Sequence, residues 1–221
     1  MFDYTFQWRQ AFRALPQMLD GALVTMQIAV LSMVIGITIA VLLAVARNSG
    51  SKWLQWPAMA WVEVARNTPA LFQIYMAHFG LGSFGIYLSP FVALLAGITF
   101  NNAGYLCETF RGALRAIPGT QVRAGRSLGM GQAKAFRLIV MPQMFRIAFL
   151  PTTNQMVWAI LMTSLGVTVG MSTDLTGVTQ DLNARTFRTF ELFALAAVLY
   201  YCIAKAVMFA ARLVAWRLFR Y

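Results

Sequence analysis

Residues 21–46 read GALVTMQIAVLSMVIGITIAVLLAVA and contain no charged side chain. As an α-helix this stretch is longer than the ~30 Å hydrocarbon core of a bilayer. Four further apolar runs follow it, at about 54–79, 86–110, 147–171 and 190–211. The pattern predicts an all-α membrane protein with five transmembrane helices.

The composition supports the same fold class. Apolar residues make up 59% of the 221-residue chain and charged residues only 11%, against roughly 45–50% and about 25% in soluble proteins. The net charge of +11 comes from 18 Lys and Arg against 7 Asp and Glu. In a soluble protein that excess would indicate nucleic-acid binding. In a membrane protein it indicates loops kept on the cytoplasmic side.

The basic residues follow the predicted topology. With five spans the two termini lie on opposite sides of the membrane. One side then carries twelve Lys and Arg and no acidic residue: Arg47, Lys52, Arg111, Arg115, Arg123, Arg126, Lys134, Arg137, Arg146, Arg212, Arg217 and Arg220. The other side carries four: Arg9, Arg13, Arg185 and Arg188. The positive-inside rule therefore predicts an outside N-terminus and a cytoplasmic C-terminus.

The two ends of the chain flank a predicted transmembrane domain at 19–211. Residues 1–18 carry aromatic side chains near helical spacing, from Phe2 to Phe12, which predicts a short amphipathic helix at the membrane interface. Residues 212–221 form a basic tail. The polar stretch 111–146 separates the third span from the fourth and is predicted to be cytoplasmic.

The sequence offers little evidence for a metal site or a catalytic nucleophile. Cys107 and Cys202 lie in separate apolar stretches, and His78 is the single histidine. Their spacing matches no zinc motif and offers no histidine-centred nucleophile. We expect the two cysteines to act as small apolar residues and no metal or cofactor to bind this chain.

The loop 111–146 holds two short helical patterns joined near Gly129. In the second pattern Ala133, Phe136 and Val140 share one helical face, and Pro142 is expected to end the helix. From the pattern alone, two interpretations remain. The loop is either a pair of helices that lie along the membrane surface, or a basic loop that only neutralises anionic headgroups.

The anchors of this loop resemble the cytoplasmic "EAA" loop of ABC importer permeases. Arg123-Ala124-Gly125 is followed after three residues by Gly129, and after nine more by Ile139-Val140-Met141-Pro142. The family pattern is Glu-Ala-Ala, three residues, Gly, nine residues, Ile-x-Leu-Pro. All spacings match, while Arg123, Gly125 and Met141 depart from the usual Glu, Ala and Leu.

Flanking motifs extend the resemblance over roughly 19–210 to the polar amino acid uptake branch of that family. They are Leu19-Asp20-Gly21 with Thr25, Glu63, Arg66-Asn67-Thr68-Pro69, Gln73, Tyr105, Glu108, Arg111-Gly112, Gln121, Thr163-Ser164-Leu165, Thr186-Phe187 and Phe190-Glu191. The resemblance implies that the loop docks on a cytoplasmic ATPase. It also implies a second permease subunit, like or unlike this one, and a periplasmic substrate-binding protein. Residues Arg123, Ala124, Gly125, Gly129, Ile139 and Pro142 would then couple the chain to the ATPase.

ATP must bind elsewhere if it drives transport. Lys52, Lys134 and Lys205 are the three lysines, and none completes a Gly-x₄-Gly-Lys-Ser/Thr loop. The predicted function is therefore translocation of a polar amino acid across a bacterial inner membrane, with ATP and Mg²⁺ on a partner chain. Alternatives are a permease for another small polar solute such as an opine, a membrane-embedded enzyme, or a non-transporting scaffold or channel subunit.

Polar groups inside the spans are costly and are therefore candidates for the substrate pathway. The candidates are Glu63, Arg66, Asn67, Thr68, Asn101, Thr163, Ser164 and Lys205. Glu63 and Arg66 are three residues apart and are expected to pair on one helix face, as a structural ion pair or beside the pathway. Glu108 is expected to pair with Arg111. Lys205 either extends toward the cytoplasm or faces the pathway and favours an anionic substrate.

Overall fold

The computed structural model describes residues 4–218, so Phe2 and Arg220 of the predictions above lie outside the described residues. The described part of the chain is helical and has no strand. The helices are α1 (Trp8–Arg47), α2 (Lys52–Asn67), α3 (Ala70–Tyr75), α4 (Pro90–Arg115), α5 (Gly119–Ser127), α6 (Gln132–Ala135), α7 (Met141–Met162), α8 (Leu175–Thr186) and α9 (Thr189–Leu218).

Three helices within residues 4–218 are long and apolar enough to cross a membrane. They are α1, α4 and α9. Large apolar side chains cover their outer surfaces, as at Leu23, Leu42 and Phe209. An apolar surface of this extent is expected where lipid, rather than water, surrounds the helices.

The first helix is longer than predicted. α1 runs without a break from Trp8 to Arg47, so residues 8–18 belong to the same helix as the first span and do not form the separate short helix predicted for 1–18. Ala11 and Met18 in this part pack against Leu175 of α8 and Leu192 of α9. This packing against α8 and α9 stabilises the first turns of α1.

The second predicted span, 54–79, is not one helix. α2 ends at Asn67, Thr68 is extended with a ψ of 148°, and Pro69 precedes α3. A residue before proline disfavours helical angles, so the Thr-Pro pair breaks the helix. After α3 the chain continues through a π-helical turn (Met76–Gly80) and a 3₁₀ turn (Leu81–Phe84), which Gly85 ends at a φ of 80°.

α4 is the central helix and packs against α1, α2, α3 and α7. Small residues allow the close approach. A Cβ on Gly104 would lie 2.5 Å from Cβ of Ala65 on α2, and a Cβ on Gly97 would lie 2.9 Å from Cα of Ile74 on α3. Because lipid supplies no hydrophobic force between helices, such close backbone contact is a main source of their attraction.

The loop between the 3₁₀ turn Thr163–Val169 and α8 carries a buried carboxylate. Asp174 is fully buried, and its Oδ2 caps α8 by accepting from the Thr176 N–H at 3.1 Å. Its Oδ1 has no hydrogen-bond partner among residues 4–218. Burial raises the pKa of Asp174 to about 6.

Leucine at Gly97 is expected to force α3 away from α4. Gly97→Leu should lower the free energy of unfolding by about 1–3 kcal/mol, because its side chain would overlap the backbone of Ile74. Gly112→Leu is the matched control, since Gly112 has open space around its Cβ position. Thermal unfolding of the detergent-solubilised variants measures the difference. Equal melting temperatures would contradict the packing described for α3 and α4.

The raised pKa of Asp174 predicts a pH dependence of stability. The folded chain binds this proton more tightly than the unfolded chain, so acidification from pH 7 through 6 stabilises the fold, and the ionised form costs about 2–3 kcal/mol at neutral pH. Asp174→Asn keeps a capping side chain without the charge. It should raise the melting temperature at pH 7.5 and reduce the gain between pH 7.5 and 5.

The control for this prediction is Asp181→Asn, on the exposed side of the same helix α8, where Asp181 pairs with Arg185 at 2.8 Å. That variant should keep the wild-type pH dependence. An unchanged pH profile in Asp174→Asn would show that the buried carboxylate does not control it.

Candidate functional site

The break between α2 and α3 exposes backbone carbonyls inside the bundle, and two buried amide side chains satisfy them. Gln73 donates to the carbonyl of Ala65 at 2.9 Å and to that of Thr68 at 3.1 Å. Asn101 of α4 donates to the same Ala65 carbonyl at 3.1 Å and to Oε1 of Gln73 at 3.2 Å. The pathway candidate Asn101 is therefore buried, and its amide holds the broken helix against α4.

A second polar group ties α1, α4 and α7 together. Asn102 donates to the hydroxyl of Ser32 at 3.3 Å, and Gln155 donates to Oδ1 of Asn102 at 2.9 Å. Sequence reasoning singled out neither Ser32 nor Gln155. The adjacent amides Asn154 and Gln155, within the apolar run 147–171, were the available signal.

Glu63 and Arg66 do not form the expected ion pair. Oε2 of Glu63 instead accepts from the amide of Asn67 at 2.8 Å, four residues along α2. Arg66 points to α4, where its guanidinium lies 3.9 Å from the carboxylate of Glu108 and 5.7 Å from the ring centre of Tyr105. The expectation was wrong because both side chains have better-placed partners.

Glu108 is the centre of a basic cluster. Arg111 pairs with it as expected, with Nε 3.0 Å from Oε2. Arg47, at the end of α1, also donates to this carboxylate. With Arg66 included, three guanidinium groups surround one carboxylate, which fixes the ends of α1 and α4 at the same level.

The remaining pathway candidates lie elsewhere. The hydroxyls of Thr163 and Ser164 each donate at 2.7 Å to a carbonyl one turn back, those of Ile160 and Leu161. Lys205 lies on the exposed surface of α9, with Nζ 5.3 Å from the ring centre of Tyr201. The structure therefore groups Glu63, Arg66, Asn67, Thr68 and Asn101 around the end of α2, and Thr163, Ser164 and Lys205 do not bond to that group.

The loop 111–146 folds as two helices with a sharp bend between them. α5 ends at Ser127, and Gly129 has a φ of 85°, a backbone conformation that glycine adopts easily. Gly125 is buried against the following segment: a Cβ there would lie 2.6 Å from Cδ1 of Ile139. Two of the predicted coupling anchors, Gly125 and Ile139, thus hold α5 against the second segment.

The outer side of the bend is open to solvent. Arg123 and Ala124 are exposed. Leu128, at the tip of the bend, has 82% of its surface exposed. Sequence reasoning missed this residue, although a leucine between Ser127 and Gly129 in a basic loop was a usable signal. Leu128 is exposed at the tip of a polar, basic loop, which makes it a candidate contact with another protein.

The second segment of the loop continues into the next long helix. α6 passes through a π-helical turn (Phe136–Val140) directly into α7, and Pro142 lies in the first turn of α7. The prediction that Pro142 ends the helix was therefore wrong: the helix widens to a π-helical turn directly before the proline and then continues. Ala133, Phe136 and Val140 share one face, as predicted, and line a cavity of about 480 Å³.

Comparisons with known proteins identify the family of this chain. The family model for the binding-protein-dependent transport system inner membrane component matches residues 32–220. The octopine transport system permease protein OccM of Rhizobium radiobacter is 34% identical, over 98% of this chain and 90% of its own length. The histidine/lysine/arginine/ornithine transport system permease protein HisM of Escherichia coli K12 is 30% identical, over 89% of this chain and 84% of its own.

A solved structure is similar as well. A chain from the crystal structure of an amino acid ABC transporter with histidines superposes with a TM-score of 0.91 at 25% sequence identity, covering 97% of this chain and 100% of that one. The relatives are named as transport permeases and not as enzymes. This chain belongs to the family of binding-protein-dependent transport system inner membrane components and is a permease subunit of an ABC transporter.

Proposed function

We propose that this chain forms part of the pathway by which a polar amino acid crosses a bacterial inner membrane, and that the loop 111–146 couples it to a separate ATPase. The observation that carries the proposal is the exposed bend at Leu128 and Gly129, held by Gly125 against Ile139. A rigid projection with an apolar tip suits docking into a groove on another subunit.

Contacts between helix ends support five crossings with the N-terminus outside. Arg47 and Arg111 meet at Glu108, so α1 and α4 end on the same side. The backbone N–H of Gln7 donates to Glu191 at 2.8 Å, so α1 and α9 begin on the opposite side. Gly166, just after α7, approaches Leu94 near the start of α4. α7 therefore runs back across, and α2 with α3 supplies the remaining crossing.

The distribution of the basic residues supports the assignment of the cytoplasmic side. The side that carries Arg47, Lys52 and the loop 111–146 is the positively charged one, and positive charge is retained in the cytoplasm. The bend at Leu128 projects from this side, where ATPase subunits with bound ATP and Mg²⁺ would meet it. A substrate-binding protein would deliver the solute to the other side, and a second permease subunit, like or unlike this chain, would complete the pathway.

The substrate is a polar amino acid or a related solute. HisM is named for four amino acids. The similarity to OccM, named for octopine, supports an opine as the second candidate. Lys205 lies on the exposed surface of α9, with Nζ beside Tyr201 one turn nearer the start of the helix rather than toward the cytoplasmic end. It makes no bond to the residues around Asn67, so we propose that it does not select an anionic substrate.

The coupling role predicts that a charge at Leu128 disrupts the complex. In proteoliposomes with the ATPase and binding-protein partners, the wild-type chain should support ATP hydrolysis that the loaded binding protein stimulates. Leu128→Asp should weaken ATPase association about 10- to 100-fold, the equivalent of losing about 1.5–3 kcal/mol of leucine burial. Co-purification and stimulated ATP hydrolysis measure the effect.

Ser127→Asp is the control, because it adds the same charge one residue away from the apolar tip. It should retain most of the association. Failure of the wild-type chain to associate with any ATPase would contradict the proposed function. Uptake of radiolabelled amino acids and of octopine in the same vesicles distinguishes the two substrate candidates.

Arg123 stands where the family usually has Glu, and we expect it to contact an acidic group on the ATPase. Arg123→Glu should reduce stimulated ATP hydrolysis about fivefold, since reversing one interfacial charge costs on the order of 1 kcal/mol. Arg126→Glu makes the same change one turn further along α5 at a position that is not an anchor. Equal activities of wild type and Arg123→Glu would show that the substitution in this chain is without consequence.

A further inference from the structure

Asn154 of α7 is an exposed amide that makes no hydrogen bond among residues 4–218. Its neighbour Gln155 points elsewhere and donates to Asn102 of α4 at 2.9 Å. Asn102 lies at the midpoint of α4 (Pro90–Arg115), a helix long and apolar enough to cross a membrane, so Asn154 lies near the middle of the membrane. A polar side chain at this depth is costly against lipid and is expected to face other protein or a water-filled pathway.

The direction of the Asn154 side chain follows from its neighbours on α7. Gln155 points to α4, and Ile160 is buried in the core that includes Ile28 of α1. At 3.6 residues per turn, Asn154 points about 100° away from Gln155 and about 120° away from Ile160. Because those two side chains take the directions of α4 and α1, Asn154 faces the remaining side of α7, away from α1.

Tyr105 of α4 opens to the same side. It follows Asn101 by four residues and Asn102 by three, so it lies one turn further along the helix, between the directions of these two side chains. Asn101 bonds to α2 and Asn102 bonds to α7. Ala103, which α1 approaches at Gly36, points nearly the opposite way. Tyr105 is therefore the floor of a crevice between α2 and α7, and 39% of its surface is exposed.

Arg66 of α2 lines this crevice on the side opposite α7. Its guanidinium lies 5.7 Å from the ring centre of Tyr105, whose hydroxyl donates to the Arg66 carbonyl at 3.4 Å. Arg66 is also one of the three arginines around the single carboxylate of Glu108. This end of the crevice therefore has an excess of positive charge, which attracts a carboxylate.

Both walls of the crevice are polar, with Arg66 at one end and the Asn154 amide about one helical turn further on. Lipid chains offer these groups no hydrogen bonds, and an apolar helix of a second subunit would leave them unsatisfied. An amino acid carries a carboxylate for the guanidinium and a second polar group for the amide, which both donates and accepts. The crevice therefore suits a small zwitterionic solute.

We propose that Asn154 contacts the transported solute in this crevice, by a hydrogen bond to the end of the solute opposite its α-carboxylate. The inference rests on the proposed function and adds a contact on α7 to the polar groups at the end of α2. Arg66 attracts the carboxylate, and the amide of Asn154 bonds the ammonium group or the polar side chain.

Thiol accessibility tests whether water reaches position 154. The chain carries Asn154→Cys with Cys107→Ala and Cys202→Ala, assembled with its partner subunits in vesicles, and the probe is a membrane-impermeant methanethiosulfonate. The control is Cys202 in a chain with Cys107→Ala alone, since Cys202 is exposed near the middle of the apolar helix α9. The thiol at position 154 should react about tenfold faster than Cys202, because reactivity follows access to water.

Solute uptake tests the hydrogen bond itself, with labelled arginine, histidine and octopine as probes. Asn154→Leu should lower the maximal uptake rate of the transported solute about tenfold, because it removes a hydrogen bond to the solute. Asn154→Gln keeps an amide and should restore most of the rate. Gln27→Leu removes another exposed amide, on α1 outside the crevice, and should leave uptake unchanged.

A reaction at position 154 no faster than at Cys202 would overturn the inference, since lipid or a second subunit would then cover Asn154. Undiminished uptake in Asn154→Leu would also overturn it and would leave the proposed function standing. Lost uptake with a lowered melting temperature of the complex would overturn it as well, because Asn154 would then bond another subunit. Wild-type vesicles without uptake would contradict the proposed function, while fast labelling at position 154 would still support the water-filled crevice.

Discussion

The carbonyl of Ala65 imposes a constraint on which the rest of the bundle depends. Inside a membrane no water is available to a carbonyl that a helix break has freed, so protein groups must satisfy it. Gln73 and Asn101 both donate to this oxygen. Because one amide comes from α3 and the other from α4, the two bonds fix the break against the central helix. The direction of α3 follows from them.

Close packing then holds the helices together. In lipid an apolar side chain gains little by moving from the surface to the interior, so helices associate through backbone proximity and internal polar bonds. Gly97 and Gly104 bring α3 and α2 onto α4, and the amide of Asn102 connects α1 with α7. Charged groups meet where α1 and α4 end, at Glu108, where water and headgroups reduce their cost.

The long apolar runs predicted a helical membrane protein. Three of these runs lie in α1, α4 and α9, which are long and apolar enough to cross a membrane. Hydropathy could not predict the break at Thr68, since it does not register backbone angles.

Residue spacing in the sequence predicted only some of the ion pairs. Three-residue spacing suggested both ion pairs, but only Glu108 and Arg111 form one, because Asn67 lies closer to Glu63. The contact of Arg47 with Glu108 joins residues 61 positions apart, beyond the reach of local patterns.

Two of the three departures from the usual loop pattern, Gly125 and Arg123, differ in what the structure says about them. Gly125 has a local reason, since the terminal methyl of Ile139 occupies the space that an alanine methyl would take, and the bend at Gly129 brings that residue back onto α5. Arg123 has no such local reason: its side chain is exposed on the opposite side of α5 from the buried Gly125 contact. Among residues 4–218 no described contact explains an arginine at this position. The exposure of Arg123 is therefore consistent with the contact proposed above between this side chain and an acidic group on an ATPase subunit.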